Sequence, residues 1–400
     1  MKVTFVSNYI NHHQIPLCNV LYEHLGENYV FIQTEPMEEE RIRLGWNPEE
    51  MPAYVKLSYE ERESCERLVL ESDVVIWGGV EDETMLKPRL AAGKPVLRYC
   101  ERLYKTGQWK AISPRGLCKK YQDHTKYRKA PVYLLCAGAY VASDFQIIRA
   151  YPGKMLRWGY FPAYQSYDVE RLMAGKQHGK RIGDTIKVQG QPEGSRTELL
   201  WAARFIDWKH PELVVELADC LAKERQDFHI TMIGGGVLQE SIETSIKERH
   251  LEAFITLAGT KTPKQVRAAM EQASIFLMTS DRQEGWGAVM NEAMNSGCVV
   301  IADRMEGATP YLIEQGKNGF AYKKPTAEVL AELVKPLLED AGYCRELGRQ
   351  AYETIRELWN ARVAAERLLS ICNDLAAGQE PRILWKQGPC SKAEIIKERG

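Results

Sequence analysis

The sequence predicts an α/β protein made of two doubly wound domains, each a parallel sheet with helices on both faces. Short β-branched and apolar runs alternate with amphipathic helical stretches from the first residue onward, which is typical of such sheets. The 400 residues exceed what one hydrophobic core usually supports. A polar, glycine-rich stretch, Ala174–Ser195, lies near the middle of the chain and indicates a linker or an exposed excursion.

Five strands are predicted in the first half of the chain, with helices between several of them: Val3–Ser7, Tyr29–Thr34, Asp73–Gly79, Pro95–Glu101 and Val132–Cys136. One helix begins near Pro16, places Leu17, Leu21 and Leu25 on one face, and ends at Gly26. We therefore predict an N-terminal Rossmann-like domain over residues 1–175.

The alternation is more regular in the second half, where the predicted strands are Glu198–Arg204, Phe228–Gly234, Phe254–Thr260, Ser274–Ser280 and Cys298–Asp303. Helices are predicted over Thr326–Asp340, Gly342–Trp359 and Val363–Ala377. The predicted organisation is a linker over 176–195, a second Rossmann-like domain over 196–360, and a C-terminal helix and tail over 361–400. Two such domains predict a cleft between the carboxyl ends of two sheets, where these folds bind ligands.

The composition of the chain argues against several classes of function. Lys and Arg number 53 against 54 Asp and Glu, so no global field favours nucleic acid. The ten cysteines never occur at C-x-x-C spacing, which argues against structural zinc and for thiols in a reducing compartment. The N-terminus enters a strand at once, and no window contains the ~20 apolar residues that span a bilayer. We expect a cytoplasmic protein.

The segment from Ser280 to Gly297 carries the strongest chemical signal. It follows an apolar strand and opens a helix, and Gly285 and Gly287 flank Trp286 so that backbone can approach a ligand closely. A helix start presents free N–H groups and a positive dipole end, which suits a phosphate or a sugar. Glu284 precedes the helix and Glu292 lies inside it, so the two carboxylates can contact different parts of one extended ligand.

Here the sequence resembles the GT-B retaining glycosyltransferases that include glycogen synthases, sucrose synthases and bacterial mannosyl- and glucosyltransferases. Glu284 and Glu292 match the Glu-x7-Glu hallmark of that family. Arg204 and Lys209 match its basic pair after the first strand of the second domain. The turn Gly234–Gly236 and the strand end at Thr260 also fit the family pattern. The specific resemblance covers residues 197–322.

The resemblance implies a nucleotide diphosphate sugar as donor, with UDP the commonest base in such enzymes. Glu284 would hold sugar hydroxyls, Gly285 to Gly287 would offer backbone N–H groups, and Glu292 would bind the ribose. Gly234, Gly235 and Thr260 would lie on the nucleotide side. Arg204 and Lys209 would neutralise the departing diphosphate. The chain has no Asp-x-Asp motif, so we expect no metal and no other cofactor.

The first domain departs from the family pattern, because the loop after the first strand has no glycine pair. His12 and His13 occupy that loop and are candidates for the donor phosphate or the acceptor, against an ordinary packing role. Glu101, after the fourth strand, is a candidate for orienting or deprotonating an acceptor hydroxyl. The acceptor expected from the resemblance is a glycan or a lipid-linked sugar.

The basic and aromatic segment Arg115–Lys129 has two interpretations. It suits peripheral contact with an anionic membrane at the inner face, or it is a solvated helix or loop. Two alternatives to a transferase also stay open at this point. One is a catalytically silent GT-B subunit that binds a glycan or stabilises a partner, and the other is a nucleotide-sugar epimerase of the same fold.

Overall fold

The computed structural model describes residues 1–43, 45–48, 50–176 and 196–396, and it contains two compact units. The first unit comprises Met1–Ala163 and Leu358–Gly400, and the second comprises Tyr164–Glu357. The first unit thus ends before the predicted boundary at residue 175, because Gln165 is already hydrogen-bonded to Asn295 (2.8 Å). The predicted linker, 176–195, lies outside the described residues apart from Lys176.

The first unit contains a seven-stranded parallel sheet in the order β3-β2-β1-β4-β5-β6-β7. Its strands are β1 Val3–Ser7, β2 Tyr29–Gln33, β3 Val55–Leu57, β4 Val74–Gly78, β5 Val96–Cys100, β6 Val132–Ala137 and β7 Met155–Trp158. The four central strands β1, β4, β5 and β6 are apolar along nearly their whole length because helices cover both faces.

The helices of the first unit are α1 Ile15–Leu25, α2 Glu39–Arg43, α3 Arg62–Glu71, α4 Lys87–Ala91, α5 Pro114–Asp123, α6 Val141–Ile147 and, from the end of the chain, α15 Ala361–Ala376. Helix α15 packs on α1, which is why the predicted C-terminal helix belongs to this unit. The tail then runs beside β7, where the Arg157 N–H donates to Ser391 O (2.7 Å).

The second unit contains a six-stranded parallel sheet in the order β10-β9-β8-β11-β12-β13. Its strands are β8 Thr197–Ala202, β9 Phe228–Ile233, β10 Ile255–Gly259, β11 Ile275–Met278, β12 Val299–Asp303 and β13 Gly319–Tyr322. Its helices are α7 Val169–Gly175, α8 Pro211–Ala222, α9 Gln239–Glu248, α10 Pro263–Gln272, α11 Ala288–Asn295, α12 Thr309–Leu312, α13 Ala327–Glu339 and α14 Ala341–Glu357.

Both sheets follow the doubly wound order, so the prediction of two Rossmann-like domains is confirmed. In each sheet the winding direction reverses beside the first strand, between β1 and β4 and between β8 and β11. Loops leaving the carboxyl ends of these neighbouring strands diverge and form a crevice, which is where open α/β sheets bind ligands. We therefore expect a ligand site in the crevice of the second unit.

Candidate active site

Two catalytic candidates from different loops meet at the crevice of the second unit. Lys209 follows β8 and Glu284 follows β11, and their side chains form an ion pair. The pair is largely sheltered, with side-chain exposures of 13% and 19%. Neighbouring strands thus bring together residues that are 75 positions apart in sequence. In this state Lys209 neutralises Glu284.

Hydrogen bonds from β11 fix the backbone beside Lys209. The Thr279 hydroxyl donates to Lys209 O (2.5 Å) and accepts from Trp201 Nε1 (2.8 Å), which is buried in the sheet. The Asp281 N–H donates to Trp208 O (2.9 Å). Because Trp201 lies on β8 and Thr279 directly follows the adjacent strand β11, the sheet sets the position of the lysine.

Arg204 lies on the same loop as Lys209 but is exposed to solvent. Its guanidinium lies 5.7 Å from the centre of the Trp208 ring, a cation–π contact. Within the described residues no carboxylate pairs with it. Arg204 is therefore a cation with free donors beside the paired Lys209.

The glycine turn after β9 packs directly against the Arg204 loop. A Cβ on Gly234 would overlap the carbonyl oxygen of Ala203, and one on Gly236 would lie 2.6 Å from Phe205 O. Both glycines also have positive φ, +141° and +150°. These two residues are therefore required for the close approach of two backbones, whatever the turn binds.

Gly235 and Thr260 are brought together at this turn. A Cβ on Gly235 would lie 3.2 Å from Thr260 Oγ1, and Thr260 is exposed just beyond β10. Both residues lie at the carboxyl edge of the sheet, on the β9–β10 side of the crevice. That these two residues form the nucleotide side of the site stays a prediction.

The Gly285–Gly287 turn leads into α11 with a sharp backbone reversal. Gly287 has φ +80° and is the N-cap residue, and no side chain caps the helix. The positive φ favours glycine, and a Cβ there would also lie 2.5 Å from Glu306 Oε1 and Met278 Cε, so both side chains would have to shift. The uncapped N–H groups of the first turn can donate to a ligand oxygen.

Trp286, between the two glycines, has its side chain in the core. Its side chain is fully buried, and its indole Nε1 donates to Asn291 Oδ1 (2.8 Å). A fully buried ring cannot contact a donor, so any contact from Trp286 to a ligand comes from its backbone. The residue belongs to the core that holds the turn, and its apolar character was the signal for that role.

Glu292 is held by a residue that the sequence analysis missed. Arg267, on α10, lies 3.5 Å from Glu292 Oε1 and donates to Glu292 O (3.1 Å) and Asn295 Oδ1 (3.1 Å). Burial raises the pKa of Glu292, and Arg267 opposes that rise. No local sequence pattern links residues on different helices, so this partner could only be found in the fold.

Two further acidic residues at the end of β12 also escaped the sequence analysis. Glu306 is fully buried, and its Oε2 accepts from Thr309 N (2.9 Å) and Thr309 Oγ1 (2.7 Å). Burial, and then the charge of Glu284, hold the pKa of Glu306 well above its usual range. Burial also raises the pKa of Asp303 to about 6. Burial therefore favours the neutral form of Glu306 beside the Gly287 turn.

The three acceptor-side candidates lie at the carboxyl edge of the first sheet. The rings of His12 and His13 are 3.8 Å apart, and Trp46 lies against both at 5.5 and 5.8 Å. Burial lowers the pKa of both imidazoles, that of His13 well below its usual range. Both histidines are therefore neutral at physiological pH, and neither Nδ1 atom has a hydrogen-bond partner among the described residues.

Glu101 joins this group through a tyrosine. Tyr160 donates its hydroxyl to Glu101 Oε1 (2.7 Å), and its ring lies 6.4 Å from that of His13. Lys105 donates to the other carboxylate oxygen, Glu101 Oε2 (2.5 Å). Trp46 and Tyr160, which the sequence analysis did not select, thus make an aromatic setting for His13 and Glu101.

Within the described residues, no group of three or more His, Cys, Asp or Glu side chains is arranged to hold a metal ion. No described helix is both long and apolar enough to cross a bilayer. All ten cysteines are free thiols, and seven of them are buried.

Comparison with known proteins agrees with the fold. Residues 184–354 match the family model described as Glycosyl transferases group 1. A Staphylococcus aureus relative, poly(ribitol-phosphate) alpha-N-acetylglucosaminyltransferase, is 26% identical over 210 residues, which are 52% of this chain and 40% of that protein. The chain therefore covers less than half of that relative's length.

Two solved structures share the fold over nearly the whole chain. Anabaena HepE, solved in complex with UDP and glucose, has a TM-score of 0.62 at 14% identity and covers 93% of this chain and 99% of its own. Sucrose-phosphate synthase from Thermosynechococcus elongatus has a TM-score of 0.66 at 14% identity and covers 95% and 100%. The fold is that of the GT-B glycosyltransferases. Residues 184–354 are thus similar in sequence to group 1 glycosyltransferases.

Proposed function

We propose that the protein is a retaining glycosyltransferase of the Glu-x7-Glu type, which moves a sugar from a nucleotide diphosphate donor to a glycan or lipid-linked acceptor. The observation that carries the proposal is the meeting of Lys209 with Glu284 beside the exposed Arg204, at the switch point of the second sheet. Cations for a diphosphate and a carboxylate for sugar hydroxyls lie within reach of one ligand there.

In the proposed reaction, the bond from the sugar C1 to the diphosphate oxygen breaks while the acceptor oxygen bonds to C1 on the same face. The acceptor proton passes to the departing phosphate oxygen. Negative charge grows on the diphosphate as the bond breaks, and Arg204 and Lys209 stabilise it. The uncapped first turn of α11 supplies N–H donors to the same anion.

Binding of the donor requires an exchange of partners. Lys209 leaves Glu284 for a phosphate oxygen, and Glu284 accepts hydrogen bonds from sugar hydroxyls instead. Glu292 accepts from the ribose, next to the nucleotide side formed by Gly235 and Thr260. With two cations on the diphosphate, the chemistry needs no metal ion, so we propose metal independence.

UDP is the proposed base, supported by the likeness to HepE, whose structure contains UDP. The name of the Staphylococcus aureus relative specifies an α-linked product on a poly(ribitol-phosphate) chain. This supports a polymer or polymer precursor as acceptor here, and a role in polysaccharide biosynthesis at the cell envelope. His13 and Glu101 are the candidates that contact the acceptor.

A membrane-bound acceptor is the more specific proposal, because α5 and its flanks form an unusual surface. Helix α5 has no buried residue. Leu117 and Tyr121 are exposed on α5, and Trp109 (68%) and Ile112 (82%) are exposed in the turn just before it. The basic residues of Arg115–Lys129 surround them. We propose that this amphipathic surface holds a cytoplasmic protein reversibly at the inner face of the membrane.

A thermal-shift panel of UDP-, GDP- and other nucleotide sugars tests the proposal. A true donor at 100 times its Kd stabilises the native state by about 2.7 kcal/mol. Slow hydrolysis of the same nucleotide sugar should accompany binding. Binding without any hydrolysis or transfer would favour a catalytically silent glycan-binding subunit. A failure of every nucleotide sugar to bind would contradict the proposed function.

A further inference from the structure

Two consecutive residues, Lys209 and His210, both form ion pairs with the loop that follows β11. Lys209 pairs with Glu284, and His210 Nε2 lies 3.5 Å from Asp281 Oδ2. The two pairs therefore join the same two loops side by side. Only the first pair has a role in the proposed reaction.

The backbone of His210 is held in an unusual conformation. Its φ of 47° and ψ of 54° lie in the left-handed region, where a residue with a Cβ is strained and glycine is not. The conformation turns the chain sharply between Lys209 and the start of α8. Such strain persists only where the surroundings hold the residue in place.

The side-chain contacts of His210 supply that restraint. His210 Nδ1 donates to Glu212 Oε1 (2.8 Å), which lies on its own helix α8. Asp281 serves both loops, because its Oδ1 accepts from Gln283 N (2.8 Å) and its own N–H donates to Trp208 O. The contact with Asp281 is thus the one that connects His210 to the Glu284 loop.

The charged groups facing His210 are Asp281, Glu212, Lys209 next to it in the chain, and Asp303 at the end of β12. Hydrogen bonds to Asp281 and then to Glu212 raise the pKa of His210 to about 10. Asp281 and Glu212 are ionised, because the contact with His210 lowers both pKa values. The imidazolium is charged at neutral pH.

We propose that the His210–Asp281 ion pair holds the Lys209 loop and the Glu284 loop in fixed positions relative to each other while Lys209 and Glu284 separate and bind the donor. We call this ion pair the clamp. The inference rests on the proposed function. His210 and Asp281 touch neither phosphate nor sugar in this scheme, so they are positioning residues. The clamp remains closed when the neighbouring pair opens.

Replacement of His210 by residues that tolerate the left-handed backbone separates the clamp from the turn. His210→Gly and His210→Asn keep the backbone conformation and remove the charge. Both should lower kcat for the nucleotide sugar about tenfold, since small misplacements of reacting groups cost that much or more. Their Tm and their Kd for UDP should stay close to those of the unaltered protein.

Asp281→Asn removes the charge but keeps an oxygen for the Gln283 N–H. It should lower kcat to the same extent, and the double variant with His210→Asn should be no slower than either single variant. Glu212→Gln is the matched control, because Glu212 holds His210 without joining the loops, and its kcat should be nearly normal. An unaltered kcat in His210→Gly or His210→Asn, or additive losses in the double variant, would overturn the proposal.

NMR of the imidazole gives a readout that does not depend on turnover. His210 should titrate near pH 10 in the unaltered protein and at clearly lower pH in Asp281→Asn. An unchanged pKa of His210 in Asp281→Asn would show that the ion pair does not form and would contradict the proposal. If instead the protein binds no nucleotide sugar but the titration shifts as expected, the proposed function fails while the ion pair between the loops stands.

Discussion

At the scale of single residues, Lys209 and Arg204 carry the same charge in different settings. Lys209 is paired with Glu284 and sheltered, whereas Arg204 is exposed, lies beside the Trp208 ring and pairs with no carboxylate among the described residues. Removal of Lys209 leaves a partly buried carboxylate without its cation, beside Glu306, whose neutral form is favoured by burial. Removal of Arg204 leaves nothing unpaired.

We therefore predict different outcomes for the two alanine variants. Arg204→Ala should lower kcat about a hundredfold, or by about 3 kcal/mol of transition-state stabilisation, with an unchanged Tm. Lys209→Ala should lower kcat similarly and also lower Tm. Addition of Glu284→Gln should restore the Tm of Lys209→Ala but not its activity. Steady-state kinetics and calorimetry measure both effects, and near-normal turnover by either single variant would refute the assignment.

Glu284 and Glu292 should contact different parts of the donor, Glu284 the sugar and Glu292 the ribose. Glu292→Ala should weaken free UDP and the nucleotide sugar alike, because ribose contacts are the same in the ground and transition states. Glu284→Ala should weaken the nucleotide sugar and leave the affinity for free UDP almost unchanged. Isothermal titration calorimetry with both ligands measures this, and equal losses of UDP affinity in the two variants would contradict the division.

The sequence selected Arg204, Lys209, Glu284 and Glu292 because each has a fixed position in the motifs of the family that the chain resembles. It did not locate Arg267, His210 or Glu306. Each of these has its meaning only through a partner on another element, and such contacts leave no local pattern. The burial of Trp286 was missed for the opposite reason, since its position between two glycines drew attention to a ligand rather than to the core.

At the scale of secondary structure, the ten predicted strands all exist, with ends that differ by at most a few residues. Three observed strands were missed: β3, β7 and β13. They have three or four residues each and lie at the edges of the two sheets, where the apolar pattern is short. Periodicity needs length, so central strands are predictable from the sequence and short edge strands are not.

Helix α5 is the element whose sequence agrees least with an ordinary packed helix. Its polar and apolar faces are both exposed, so packing does not explain its Leu117 and Tyr121. The segment Arg115–Lys129, which includes most of α5, contains six basic residues. At roughly 1 kcal/mol each near an anionic surface, they suffice for reversible membrane binding. This element therefore offers a test of where the acceptor lies.

Vesicles rich in anionic lipid should bind the protein at low salt and release it as salt screens the charges. Replacement of Lys119, Lys120, Arg128 and Lys129 by Ser should abolish most of the binding in a flotation assay. The control replaces four exposed lysines of the second unit by Ser, with the same change in net charge: Lys223, Lys247, Lys264 and Lys317. Equal vesicle binding by the variant with the four Arg115–Lys129 substitutions and by this control would assign a soluble acceptor instead.

At the scale of the whole molecule, charge is balanced overall and arranged locally. A net charge of −1 gives no general attraction for a nucleotide diphosphate sugar, so in the proposed reaction the anion is held by the few cations at the crevice. Two routes exist for neutralising a departing diphosphate: a divalent ion held by carboxylates, or fixed side-chain cations with helix N–H donors. This chain places Arg204, Lys209 and the start of α11 together, which supports the second route.

Activity should consequently survive excess EDTA. Because Arg204 and Lys209 are part of the chain, their charge cannot be removed by a chelator, and the rate should be the same before and after treatment. The matched control is a metal-dependent transferase assayed with the same donor, which EDTA should silence. We also predict that added Mg²⁺ does not rescue Arg204→Ala, since the described residues contain no group of three or more His, Cys, Asp or Glu side chains arranged to hold the ion. Loss of turnover in EDTA with recovery in Mg²⁺ would show that the cations of the chain do not suffice and that a metal shares their task.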